Sequence, residues 1–180
     1  MAGTARAAEQ FRASLLRHML EQATSIVIVA EAAGEPAGFA ELSRDGGAPP
    51  LPVVARAAIR GMGVAGALGA AWRSTARLRV ELKAPDGGVH LFELQVAPTH
   101  RNRGIGAFLL GRVDDYALGQ RAQHISLTTA TDNPARRLYE RSGYSVAEQK
   151  TNERYRRITG SDGRVLMVKP VPRQGARQSY

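Results

Sequence analysis

At 180 residues and 43% hydrophobic content, the chain is long enough to bury one core without staples, so a single domain of ordinary size is expected. The absence of cysteine excludes a disulfide framework, thiolate metal sites and a cysteine nucleophile, and suits a reducing, cytoplasmic setting. A formal net charge of +9 and a pI near 10.8 point to anionic partners such as phosphorylated cofactors or nucleic acid, although 6% aromatic content and the lack of a nucleic-acid-binding motif argue against a dedicated nucleic-acid module.

Residues 11–23 set Phe11, Leu15, Leu16, Met19 and Leu20 at helical spacing and predict a helix, with no apolar core and cleavage site of a secretory leader before it. The β-branched run Ile26-Val27-Ile28-Val29 predicts a buried strand over 25–32. Gly34-Glu35-Pro36 breaks it, and 37–42 follows as the second strand of a hairpin. After a loop at 43–52, an Ala/Gly-rich helical insertion fills about 47–84. Its least polar stretch, 51–72, holds Pro52, Arg56, Arg60 and several glycines, so it is a poor membrane span and reads as a packed surface helix, or one lying on a membrane or another subunit. The Pro85-Asp86-Gly87-Gly88 turn closes the insertion. A strand at 89–96, a helix at 104–120, a strand at 124–130 and a short helix at 133–142 come next. A final strand pair is expected at 144–157 and 164–171, around Gly160-Ser161-Asp162-Gly163. Residues 1–171 thus read as one domain and 172–180 as a loose tail. This order predicts a mixed sheet with helices on its faces, α/β or α+β in class.

The segment richest in chemistry is Arg101-Asn102-Arg103-Gly104-Ile105-Gly106-Ala107, which follows the strand ending at Val96-Ala97-Pro98 and opens an amphipathic helix. Glycines at a strand-to-helix junction let backbone amides approach a ligand closely, and a helix N-terminus adds partial positive charge, so a pyrophosphate is the expected guest. The dinucleotide pattern Gly-x-Gly-x-x-Gly is not met, because Leu109 stands at its sixth position. His18, His90, His100 and His124 lack metal-ligand spacing, and no metal is expected.

The loop instead resembles the acyl-CoA motif of the GNAT superfamily of N-acetyltransferases, Arg/Gln-x-x-Gly-x-Gly/Ala, through Arg101, Gly104 and Gly106. The segment Asn133-Pro134-Ala135-Arg136-Arg137-Leu138-Tyr139-Glu140-Arg141-Ser142-Gly143-Tyr144 is similar to that family's Asn-x-x-Ala-x-x-Leu-Tyr-x-x-x-Gly-Phe/Tyr and falls after the next strand, as the family requires. The resemblance spans roughly residues 25–169. It implies a mixed, mostly antiparallel central sheet flanked by helices, with the helical insertion placed before the cofactor-binding strand. Two features depart from the family: residues 1–10 do not read as its opening strand, and the insertion between Gly46 and Gly88 is long, which suits shaping of the acceptor side or a dimer contact.

On that resemblance, acetyl-CoA is the acyl donor, and the amides of Arg101, Asn102, Arg103, Gly104, Ile105, Gly106 and Ala107 hold its pyrophosphate. Leu94 and Val96 lie on the strand that splays from its neighbour and offers backbone groups to pantetheine. Asn133 contacts the CoA arm and equally suits a helix cap, while Tyr139 lies near sulfur as an acid for the departing thiolate, its plain alternative being a core aromatic. The chemistry needs an ammonium deprotonated, an oxyanion stabilised and a proton given to sulfur. Glu93, in Leu91-Phe92-Glu93-Leu94-Gln95-Val96, is the preferred base, since it resembles the acidic residue some members carry upstream of the loop. Otherwise Glu93 is a strand carboxylate paired with an arginine, and His90 is the next candidate base. The expected activity is transfer of an acetyl group to a primary amine, of a small molecule, by direct attack in a ternary complex. Acetylation of a protein amine or a charged tRNA, which the +9 charge favours, and non-catalytic acyl-CoA binding are the alternatives. Family habit adds a homodimer.

Overall fold

The computed structural model describes residues 26–43 and 79–172. The helix expected at 11–23, the opening residues 1–10, the insertion up to 78 and the tail beyond 172 lie outside the described residues. Six strands form one sheet: β1 (Ile26–Ala32), β2 (Glu35–Ser43), β3 (Val89–Val96), β4 (His124–Ala130), β5 (Ser145–Thr151) and β6 (Gly163–Pro170), in the order β1-β2-β3-β4-β6-β5. Every pairing is antiparallel except β3 with β4. Among the described residues three helices accompany it, α1 (Ile105–Gly119), α2 (Arg136–Arg141) and α3 (Glu153–Thr159), with one 3-10 turn at Pro98–His100. The mixed, mostly antiparallel sheet with flanking helices is the expected class. No helix among the described residues is long and apolar enough to cross a membrane.

β1 and β2 turn through Ala33 and Gly34, both at positive φ (53° and 77°), the geometry of a two-residue hairpin whose twist matches its strands. The second strand therefore begins at Glu35 rather than at residue 37, and Pro36 is carried inside it, opposite Glu31, where the register shifts. A proline is tolerated there because a shifted register does not require its missing N–H. From Ala37 to Leu42 every residue of β2 is buried.

α1 lies on one face of the sheet, burying Leu109, Leu110, Val113 and Ala117 against Ala40, Leu42, Leu91 and Ile125. Each leucine, isoleucine or valine among them contributes about 1.5–3 kcal/mol on leaving water. Gly38 permits the contact: a Cβ there would stand 2.9 Å from the Gln95 carbonyl and 3.0 Å from Leu109 Cδ1.

The expected last strand, running to 157, is corrected: β5 stops at Thr151 and α3 follows. Asn152, in extended conformation, accepts the Tyr155 N–H at 3.1 Å as an N-cap, Glu153 stands in the first turn, and Gly160 at φ 83° ends the helix. Tyr155 then buries against Val80 and Ile158.

Candidate active site

β3 pairs with β4 only over Val89–Leu91, opposite Ile125–Leu127, whereas on its other side it stays paired with β2 up to Val96. Beyond Leu91 the strand splays away from β4. The register of β3 against β2 also shifts between Glu41 and Leu42, leaving Phe92 as the extra residue of a bulge, and a bulge bends the strand that carries it. Backbone groups of residues 92–96 that point away from β2 consequently have no ladder partner among the described residues. Unpaired backbone N–H and C=O demand partners, and the Arg101 side chain supplies one, donating from Nε to the Val96 carbonyl at 3.3 Å.

The chain leaves β3 through the 3-10 turn and enters α1 through two left-handed residues, Asn102 (φ 59°) and Gly104 (φ 82°). Gly104 is the N-cap of α1 and offers no side-chain cap, so the first-turn amides of Ile105, Gly106 and Ala107 lack partners inside the helix. The two glycines serve different ends. A Cβ on Gly104 would meet nothing within 4 Å, so its backbone angle is what selects glycine there. On Gly106 a Cβ would stand 2.9 Å from Leu138 Cδ2, so this glycine lets α1 and α2 approach.

Between the splayed strand, the start of α1 and α2 lies a cleft of about 1090 Å³. Leu94 and Val96 line it from β3, and Arg101, Asn102, Gly104, Ile105, Gly106 and Ala107 from the loop and the first helical turn. Asn133 joins them, with its Oδ1 accepting the Ala135 N–H at 2.9 Å and its Nδ2 donating to Thr129 Oγ1 at 2.6 Å. It holds the turn before α2, which begins three residues later, at Arg136. Arg103 is exposed and is not among the lining residues.

Tyr139 and Glu93 stand behind the walls rather than on them. Tyr139 is 7% exposed within the main core, next to the lining residue Leu138, with its ring edge-on to Tyr144 at 6.0 Å between centroids. Burial pushes its phenol above the ordinary value, which keeps it in the protonated form. Glu93 accepts a hydrogen bond from Gln95 Nε2, and Gln95 itself lines the cleft. Directly across the ladder from Glu93 is Glu41, only 4% exposed, so the two carboxylates share the sheet face opposite the one that carries Leu94. His90 is buried, its Nδ1 hydrogen-bonded to Ser126 Oγ at 2.9 Å and its ring edge-on to Phe92. Burial and then the Arg164 charge lower its pKa to about 4, so it is neutral near pH 7 and a weak proton acceptor.

Sequence reasoning passed over Glu41, Gln95, Arg137 and Arg141, and set aside His100, which lines the cleft. Glu41 and Gln95 become visible only through strand register, and the two arginines through the helical spacing that puts positions four apart on one side. Among the described residues no three His, Asp or Glu side chains gather as a metal site.

Residues 4–144 match the model of the family described as the acetyltransferase (GNAT) family. Among solved structures, the chain is similar to the ribosomal-protein-S18-alanine N-acetyltransferase from Escherichia coli, at 16% identity over 99% of this chain and 92% of that one, with a TM-score of 0.57. It is similar to nourseothricin acetyltransferase at 22% identity over 83% of this chain and 67% of that one, with a TM-score of 0.51. A third likeness is to a Bacillus anthracis str. Ames protein designated a streptothricin acetyltransferase, solved in complex with acetyl coenzyme A: 14% identity, 84% and 65% coverage, TM-score 0.54. At these identities the likeness is one of fold. No curated protein matches the sequence.

Proposed function

The chain belongs to the acetyltransferase (GNAT) family, and on that premise we propose that it transfers the acetyl group of acetyl-CoA to a primary amine of a small molecule within a ternary complex. The observation that carries this reading is the conjunction of a strand freed from its neighbour after Leu91 with an uncapped helix N-terminus, both lining one cleft. That cleft suits an extended, doubly natured ligand. Its helix N-terminus favours an anion, its free strand edge favours an amide-bearing arm, and Leu94, Ile105 and Leu138 give it apolar wall.

Acetyl-CoA supplies an acetyl thioester, activated towards an amine. The residues of the chain then have three tasks. The amides of Ile105, Gly106 and Ala107 and the loop from Arg101 to Gly104 hold the diphosphate. Backbone N–H groups of residues 92–96 unmatched by β4 orient the thioester carbonyl and counter the negative charge that grows on its oxygen. Proton traffic falls to Glu93, which takes a proton from the amine directly or through water, and to Tyr139, which gives one to sulfur. The burial that keeps the Tyr139 phenol protonated suits a donor, and the Glu41–Glu93 pair suits an acceptor that arrives as a cation.

A protein amine is the second reading, favoured by the net charge of +9, which steers the chain towards acidic macromolecules, and in line with the acceptor in the name of the Escherichia coli enzyme. Calorimetric titration with acetyl-CoA, followed by thiol release over a panel of amines, peptides and tRNA, separates these readings. Micromolar binding with turnover on small primary amines is expected. Turnover confined to peptides or tRNA moves the acceptor to a macromolecule, and the absence of acetyl-CoA binding overturns the proposal.

A further inference from the structure

Glu93 stands behind the cleft wall, and the proton steps above leave unused the side chain that joins it to the cleft. Gln95 lies two positions further along β3, so alternation puts both residues on one face of the sheet. Gln95 lines the cleft, and from there its Nε2 donates to Glu93 Oε1. Across the β2–β3 ladder Glu93 faces Glu41, which is buried. Like charges directly opposite one another on a sheet repel, so this pairing pushes the Glu93 carboxylate off its place unless a donor holds it.

A carboxylate accepts through two coplanar oxygens, and holding one of them fixes the direction of the other. A hydrogen bond to a charged group is also stronger than one between neutral groups, which suits an anchor set against repulsion. We propose that Gln95 is a positioning residue of the transfer: its amide holds Glu93 Oε1 against the repulsion of Glu41 and turns Oε2 to the incoming amine. The role rests on the base function given to Glu93 above. It accounts for an amide side chain on the wall between the donor cleft and the two carboxylates.

A double-mutant cycle in the full chain tests this, with acetyl-CoA and the amine of the panel above that gives the fastest thiol release. Gln95→Met keeps the length of the side chain and removes its donors, while Gln95→Glu keeps its shape and adds a third carboxylate. Gln95→Met is expected to lower kcat by roughly tenfold and Gln95→Glu by more, with calorimetric acetyl-CoA affinity within about threefold of wild type, which also reports a folded cleft. On the Glu93→Gln background the same two changes are expected to cost nothing further in kcat, because a residue that acts through Glu93 has no effect once Glu93 is gone. A wild-type kcat for Gln95→Met, a loss confined to KM for acetyl-CoA, or an equal loss on both backgrounds overturns the positioning role and leaves the base reading intact. A wild-type kcat for Glu93→Gln overturns the base reading and the positioning role with it, as does the absence of turnover on every amine of the panel.

Discussion

β4 and β6 pair along seven consecutive residues, from His124 opposite Pro170 to Ala130 opposite Arg164, whereas β3 and β4 pair over three and then part. The two halves of one sheet thus treat their backbone differently. In the closed half the N–H and C=O groups satisfy one another, and side chains decide only packing. In the open half the backbone is itself a polar surface, and the cleft has formed where that surface meets the start of α1. His90, in the middle one of the three remaining pairs, stands at the boundary between the two regimes.

The sharpest test of the contrast changes one polar atom in each of the two residues proposed to move protons, Glu93 on the open strand and Tyr139 on α2. Glu93→Gln and Tyr139→Phe are each expected to lower kcat by about 10²–10⁴-fold while leaving acetyl-CoA affinity and thermal stability nearly unchanged. A loss confined to KM would assign both residues to binding. The converse change belongs to the closed half: a Cβ on Gly163 would stand 1.9 Å from the Lys150 carbonyl and 2.7 Å from Thr151 Cα, atoms of the β5 backbone that have no rotamer to yield. Gly163→Ala is expected to cost about 3 kcal/mol or more in urea unfolding, with the surviving folded fraction still binding acetyl-CoA.

At the boundary, pH is the probe. The folded chain holds His90 near pKa 4 and the unfolded chain near 6.5, so between those values the unfolded state binds a proton that the folded state refuses. This contribution to stability is whole above about pH 6.5 and is lost as pH falls towards 4, to the order of 3 kcal/mol. His90→Gln is expected to flatten the fall in unfolding free energy between pH 7 and pH 4 relative to wild type. Parallel curves for the two proteins would show that His90 does not set it. The smallest effect is expected at Gly104, where alanine meets no neighbour and must only adopt φ 82°: Gly104→Ala is expected to lose about 1–2 kcal/mol of stability and to weaken acetyl-CoA binding.

What the sequence makes legible follows the range of the forces involved. The β-branched run at Ile26–Val29 and the glycine-bearing start of α1 are local patterns, and both elements lie where those patterns put them. α3 was also signalled locally, by Asn152 as cap and Gly160 as stop, but the alternating residues before it read as one long strand and masked the change of period. The parting of β3 from β4 and the pairing of Glu41 with Glu93 depend on contacts across 36 to 52 residues and on a bulge at Phe92, and no periodicity in either segment announces them. Residue by residue, the cleft's lining at Arg101, Asn102, Gly104 and Asn133 could be named from motif spacing, while Gln95, Arg137 and Arg141 needed the fold to bring them to the same walls.

Amide hydrogen exchange with and without acetyl-CoA tests the division of the sheet most directly. The expected result is new protection at residues 92–96 and at 103–107, where the backbone has partners to gain, with the β4–β6 ladder unchanged. Protection that appears elsewhere, or none at all at saturating acetyl-CoA, would contradict the assignment of the open half as the donor site.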